Sequence, residues 1–353
     1  MSVFRGEHIT IELYGQSHDE KVGVILENFP KIKIDEAALA SFMARRQGGQ
    51  GYGTTNRREA DLPEFIDGVR DGFAEGRVEA VLYNHNKKSS DYDDLYGKPR
   101  PSHADYASYL RDGTLDFSGG GRFSARLTAP LCVAGYLAKE HLNKQGVFAY
   151  AYLSSVGKVQ GRSYKEGVTE DELKKLSGFP SLTKQKSMQK EIERARRRGD
   201  SVGCTVECVV CGVGGGVGND YFEGLESKIA SLLYAIPAVK AVEFGFGFDL
   251  SRGRGSRMND PLCFENGKIT LKTNKAGGLN GGITNGLPIT LRVGLRPTPS
   301  IAIEQDTVDL VTGENVKIKI KGRHDSCLGV RALPIVESAV YLALLDEGEY
   351  YGN

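Results

Sequence analysis

The chain has 353 residues, long enough to bury a full core as one large domain or two ordinary ones. Its 46 basic and 45 acidic residues nearly cancel, which excludes a global field for nucleic acid or membrane and makes each arginine cluster a sign of a local anion. The start, MSVFRGEHITIEL, lacks the apolar core of a signal peptide, and no run approaches the ~20 apolar residues of a membrane span, so a cytoplasmic protein is expected.

Ile9–Leu13 alternates as a strand does, and Val22–Leu26 is a second apolar run, which puts Ser17 and His18 on the connection between them. Asp35 is expected to cap a helix through Ala44 whose apolar stripe is Leu39, Phe42 and Met43. Arg45–Asp61 (RRQGGQGYGTTNRREAD) has four arginines, four glycines and no apolar period. It reads either as a cationic ligand loop or as a solvated surface loop. Asn84–Tyr96 is another polar connection.

The richest stretch is Pro99–Thr128, containing PRPSHADY and DFSGGGRFSARLT. Pro99 and Pro101 stiffen a loop that presents Arg100 and His103, and Gly119–Gly121 can adopt φ > 0 and bring backbone N–H groups close to a ligand. A helix is expected over Ala129–Leu142, with Pro130 early and Leu131, Ala134, Leu137 and Ala138 as its stripe. A glycine loop feeding a helix N-terminus suits an anion. Arg122 and Arg126, four apart, are expected on one face of the first turns. The bland alternative is a glycine turn beside solvated arginines.

Val147–Val156 reads as a strand with half-buried aromatics, and Lys184–Arg198 as a highly charged, mostly solvated helix. The neutral total charge and the absence of aromatic platforms speak against nucleic acid as the partner of that basic run. Of six cysteines, Cys204 and Cys208 fall on one side of a strand and Cys211 on the other, a pattern of buried thiols and not of a metal site. CGVGGGVGNDYF fits a dinucleotide fingerprint only loosely and lacks its frame. A helix over Glu223–Tyr234 stops before Pro237, and Val239–Phe248 is strand-like. Ser251–Pro261 and Thr273–Gly286 read as polar, glycine-rich loops. PITLRVGLRPTPSI is a strand followed by a stiff turn, NVKIKIKGRHDSC alternates before a turn, and the last helix is expected over Ile335–Leu345. The result is a mixed α and β chain with several antiparallel hairpins. Its recurring glycine-rich loops would be explained by convergence on one ligand.

GQSHDEKVGVIL, the loop through Arg57 and Arg58, PRPSHADY, GGGRFSAR, GDSVG, IPAVKAVEFGFGF, AGGLNGGITNG, RPTPSI and KGRHDSC follow one another in the order of the chorismate synthase motifs. From about Thr10 to Glu347 the chain resembles that family. The resemblance implies an α+β fold, a layered β-α-β sandwich of antiparallel sheets around helices, with residues 1–353 as a single domain and no room for a fused flavin reductase. It implies conversion of 5-enolpyruvylshikimate 3-phosphate to chorismate and phosphate, the last step of the shikimate pathway. This anti 1,4-elimination requires reduced FMN without net redox change. A homotetramer and an external source of reduced FMN are implied as well, with reduction by NADPH on this chain as the alternative.

By matching motif positions, His18 would assist phosphate departure, His103 would protonate or steady reduced flavin, and Asp325 would accept the ring proton. Arg46, Arg100 and Arg126 would clamp substrate anions, with Ser17 and Ser124 donating hydrogen bonds. Arg122, Phe123, Ser124, Pro237, Ala238, Gly281, the turn formed by Arg296, Pro297, Thr298, Pro299 and Ser300, and Arg323 would contact the flavin. No metal is implied. The sequence departs from the family pattern at Gln16 (usually Glu), Tyr52 (often basic), Phe123 (usually a small Ser), Arg296 (usually Lys) and Ser326 (usually Pro). The competing reading is an FMN-dependent oxidoreductase, which would consume reductant stoichiometrically. A kinase or ligase lacks its P-loop here, and an RNA-binding module would rest on SRGRGSR and the basic helix alone.

Overall fold

The computed structural model describes residues 2–49, 52–54, 60–84, 95–117, 119–320 and 324–351. Arg57, Arg58 and Arg323 lie outside the described residues, as does most of the Asn84–Tyr96 connection.

Two five-stranded antiparallel sheets enclose a pair of apolar helices. The first sheet runs in spatial order Ser2–Arg5, Thr10–Tyr14, Lys21–Lys33, Phe73–Tyr83, Glu64–Arg70. The second runs Val239–Phe244, Ile289–Leu295, Cys204–Cys211, Phe148–Val156, Val159–Gln160. In each sheet alternate residues face inward, as the two-residue strand period requires. Val22, Val24 and Leu26 are buried on the first. On the second, Ile289, Leu291, Val293 and Leu295 sit opposite Val210, Cys208, Val206 and Cys204. The helices Thr128–Lys144 and Gly329–Leu345 lie between the sheets, buried nearly all round, as a helix without a polar face must be. This is the expected β-α-β sandwich of the α+β class.

The central helices approach so closely at Gly135 that a Cβ there would fall 2.1 Å from the Cβ of Ser338. Arg45 forks onto the buried Glu337 carboxylate, which also accepts from the Ala151 backbone N–H, tying the first layer to the helices and the second sheet. The helix expected after Asp35 forms over Glu36–Ala44, and the Asp35 carboxylate caps the Ala38 N–H. Cys204 and Cys208 point inward, and Cys211 is half-buried.

Several expectations change. The last helix begins at Gly329, not Ile335, because Pro334 falls early enough that its missing N–H interrupts the ladder only once. The helix Asp105–Asp112 and the hairpin Leu262–Glu265/Lys268–Leu271 were not anticipated. The glycine-rich loops do not all converge on one place. Leu279–Asn280 and Ile283–Asn285 form a small hairpin that pairs with Gly215–Gly218. There a Cβ on Gly218 would meet the Gly282 carbonyl oxygen at 2.5 Å, so these glycines permit backbone packing. No helix among the described residues is long and apolar enough to cross a membrane.

Candidate active site

A cavity of about 1100 Å³ opens at one end of the sandwich, between the edge of the first sheet, the glycine loop before the first central helix, and the turns that leave the second sheet. Arg46, Arg100, Arg111, Arg122, Arg126, Lys240, Arg296 and Arg331 lie on its wall, against Asp61 and Asp325. Asp105 and Asp112, not themselves on the wall, offset Arg100 and Arg122.

At its centre Asp61 bridges Arg46 and Arg126 with its two carboxylate oxygens, and all three side chains are buried. Arg46 also donates from Nε to Thr128 Oγ1 (3.1 Å) and from Nη2 to the Ala125 carbonyl (3.1 Å). Arg126 donates from Nε to Asn84 Oδ1 (2.6 Å). Burial opposes ionisation of Asp61, but the charges of Arg46 and Arg126 prevail and hold its carboxyl below the usual range. Burial also presses Arg46 downward, yet a guanidinium starts high enough to stay charged.

Arg122 and Arg126 do not share a face. The chain after Gly119–Gly121 forms two short 3₁₀ turns, Gly121–Phe123 and Ala125–Leu127, broken by extended backbone at Ser124. That break turns Arg126 into the interior and Arg122 outward to Asp112 and Ser108, with its guanidinium 5.0 Å from the Phe123 ring centroid. Ser124 Oγ caps the Arg126 N–H at 3.1 Å.

His103 lies on the wall beside Asp105, which accepts from the imidazole Nδ1 at 2.5 Å. Asp105 is buried, but hydrogen bonds from Arg100 and His103 overcome that and hold its carboxyl down at about 2. Asp325 pairs with Arg331 Nη1 at 2.6 Å, and Arg331 Nε donates to the Arg46 carbonyl at 2.8 Å. Ser17 and His18 stand behind the glycine loop and not on the wall. A Cβ on Gly119 (φ +59°) would lie 2.2 Å from His18 Nε2 and 3.0 Å from Ser17 Oγ. Ser17 Oγ is buried and has no hydrogen-bond partner among the described residues.

Across the cavity, Pro237, Ala238, Arg296, Thr298, Pro299 and Ser300 line the wall. Ala238 has φ +75°, a strained conformation for a residue with a Cβ, and its carbonyl accepts from the Arg296 N–H at 3.0 Å. GDSVG braces this side: Ser201 Oγ donates to the Thr298 carbonyl (2.7 Å) and the Val202 N–H to the Ser326 carbonyl (2.8 Å). Pro297 is off the wall, and Gly281 lies in open space on the distant hairpin. Tyr52 packs edge-on against Phe179, away from the cavity. Sequence reasoning missed Asp61, Thr128 and Arg331. The signal for Arg331 was a lone cation at the head of an otherwise apolar helix; for Asp61, it was an acid closing an arginine-rich loop.

The site is thus an open-ended, cation-lined chamber with a buried guanidinium–carboxylate array at its centre and His103 and Asp325 on its wall, an arrangement suited to a small polyanion. The sequence matches the model of the family described as chorismate synthase over residues 9–348. It is 42% identical to the chorismate synthase of Pyrococcus abyssi over 346 residues, 97% of this chain and 96% of that one. It is 41% identical to that of Thermococcus kodakarensis over 345 residues, with the same shares covered. A crystal structure of chorismate synthase superimposes with a TM-score of 0.74 at 22% identity, covering 97% of this chain and 92% of the other, a likeness of fold. The chain belongs to the chorismate synthase family.

Proposed function

We propose that this protein is a lyase that converts enolpyruvylshikimate phosphate to chorismate and phosphate in the presence of reduced FMN. The observation that carries the reading is the buried Arg46–Asp61–Arg126 array sharing one cavity with His103 and Asp325. The substrate brings two carboxylates and a phosphate, and guanidinium groups fixed in advance by Asp61 suit those charges better than freely reorienting water does.

The residues present fit a flavin phosphate and ring edge. Thr298 Oγ1 is buried with no hydrogen-bond partner among the described residues, Ser300 is buried beside it, and Arg296 is half-buried, its pKa lowered by that burial. These groups, with Ala238, would hold FMN. Reduced FMN, when bound, supplies electron density transiently to the substrate, so that the elimination needs no net oxidant. Arg46 and Arg126 would bind the substrate's anionic groups and hold the leaving phosphate. His18, set behind Gly119 and off the wall, would serve the departing phosphate across the glycine loop, and His103 would exchange a proton through its Nε2. Asp325, oriented by Arg331, would take the ring proton.

We further propose cytoplasmic residence, a separate source of reduced FMN and assembly into a tetramer. Leu262, Phe264 and Ile269, exposed by 69%, 79% and 67% on one hairpin, support burial against another copy. Phosphate release from the substrate tests the function. It should require reduced FMN, and equal release with oxidised FMN would overturn the reading.

A further inference from the structure

We infer that Arg100 and Asp105 are positioning residues which fix His103 as its Nδ1–H tautomer and leave Nε2 as the nitrogen that meets the cavity. The inference rests on the proposed proton-exchanging role of His103 and assigns Arg100 a task other than clamping substrate.

A count of hydrogens carries the argument. Arg100 is only 3% exposed, and the hydrogens of its Nε and Nη2 go to protein groups. Nε donates to Asp105 Oδ2 at 2.7 Å. Nη2 has two hydrogens, and Asp105 Oδ1 (2.8 Å) and the Gly119 carbonyl (2.5 Å) take them, with the Phe117 carbonyl a third acceptor at 3.2 Å. None remains for His103 Nδ1, although that nitrogen is 3.2 Å from Nη2. An ionised carboxylate can only accept, so the hydrogen in the His103–Asp105 bond belongs to Nδ1.

Asp105 is saturated in turn. It accepts from the Arg100 backbone N–H (2.9 Å), Arg100 Nε and Nη2, and His103 Nδ1, four donors for about four lone-pair sites. A carboxylate so held cannot rotate away, and its charge favours one ring orientation. Local backbone completes the arrangement: Ser102 at φ +59° turns the chain so that His103 and Asp105 both face Arg100, and the Arg100 carbonyl accepts the His103 N–H at 3.1 Å. Through the Gly119 carbonyl, the same guanidinium ties this support to the glycine loop against which His18 packs.

The test is long-range proton–nitrogen correlation NMR on the full chain labelled with ¹⁵N-histidine, at alkaline pH where the ring is neutral. His103→Gln assigns the signal. The inference expects a protonated Nδ1 and an unprotonated Nε2; the opposite pattern overturns it, whatever the protein catalyses. Asp105→Asn should give mixed tautomers, because a carboxamide can also donate, and retention of pure Nδ1–H would count against Asp105 as the cause. In steady-state assays, Asp105→Asn, Arg100→Lys and their combination should each lower kcat by up to about 100-fold, without adding, and leave KM nearly unchanged. A raised KM with intact kcat in Arg100→Lys would make Arg100 a clamp. Absence of chorismate formation by the wild-type protein would refute the proposed function and leave the NMR result to stand.

Discussion

Replacing Gly119 by Ala tests how the glycine loop holds the site. At φ +59° an alanine costs about 1–2 kcal/mol, offset in part by about 0.4–1 kcal/mol from a less flexible unfolded chain. The larger consequence is local. The new methyl group would sit 2.2 Å from His18 Nε2, and ordinary contact begins near 3.4 Å, so the imidazole must retreat by about 1.2 Å. A displacement of that size in a reacting group can lower the rate by about 100-fold. Gly119→Ala should therefore lose about two orders of magnitude in kcat while its melting temperature falls by only about 2–4 °C. Gly214→Ala, where a Cβ meets nothing within 4 Å, is the control and should leave both unchanged. The measurements are initial rates with saturating reduced FMN and thermal unfolding followed by circular dichroism. A folded Gly119→Ala protein with full kcat would refute the argument that this glycine sets the position of His18.

Gly135→Ala should destabilise by about 1–3 kcal/mol in denaturant titration despite alanine's better helix propensity, because its methyl group would strike Ser338 across the helix pair; a gain in stability would show that the pair can separate freely. Asp61→Ala leaves Arg46 and Arg126 without their shared counterion and should cost about 3–5 kcal/mol, read by the same titration; no change would mean that the array is not a unit. Asp105 titrates at about 2 in the folded protein against an ordinary 3.8. Its contribution is thus complete above about pH 3.8 and disappears as pH falls toward about 2, in total about 2 kcal/mol. Asp105→Asn should flatten that part of the stability curve, and an unaltered acid limb would contradict the depressed pKa.

Much of this was legible in the sequence where local chemistry decides. The Asp35 cap and the apolar stripe from Leu131 are short-range signals, and both helices form within two residues of expectation. Pro334 misplaced a boundary because a proline near a helix start looks the same as one just before it. Thr273–Gly286 reads as a glycine-rich loop that could converge on a ligand, because glycine chosen for close backbone packing is indistinguishable, in sequence, from glycine chosen for an anion. Of the residues the motifs named, Arg46, Arg100, His103, Arg122, Arg126 and Asp325 share the cavity wall, while Ser17, His18, Pro297 and Gly281 lie off it; the pairings among them were not legible. That Asp61 lies between Arg46 and Arg126, or that Arg331 reaches Asp325, depends on contacts between distant segments that no local pattern encodes. The separation of Arg122 from Arg126 follows from one extended residue, Ser124, between two short 3₁₀ turns, which a spacing of four residues does not reveal.

The most direct test of the account is an anaerobic assay with enolpyruvylshikimate phosphate and a small amount of chemically reduced FMN, following chorismate absorbance, phosphate and flavin together. The account predicts many turnovers per flavin, chorismate and phosphate in equal amounts, and flavin still reduced at the end. Flavin oxidised in step with product would contradict it and identify an oxidoreductase instead.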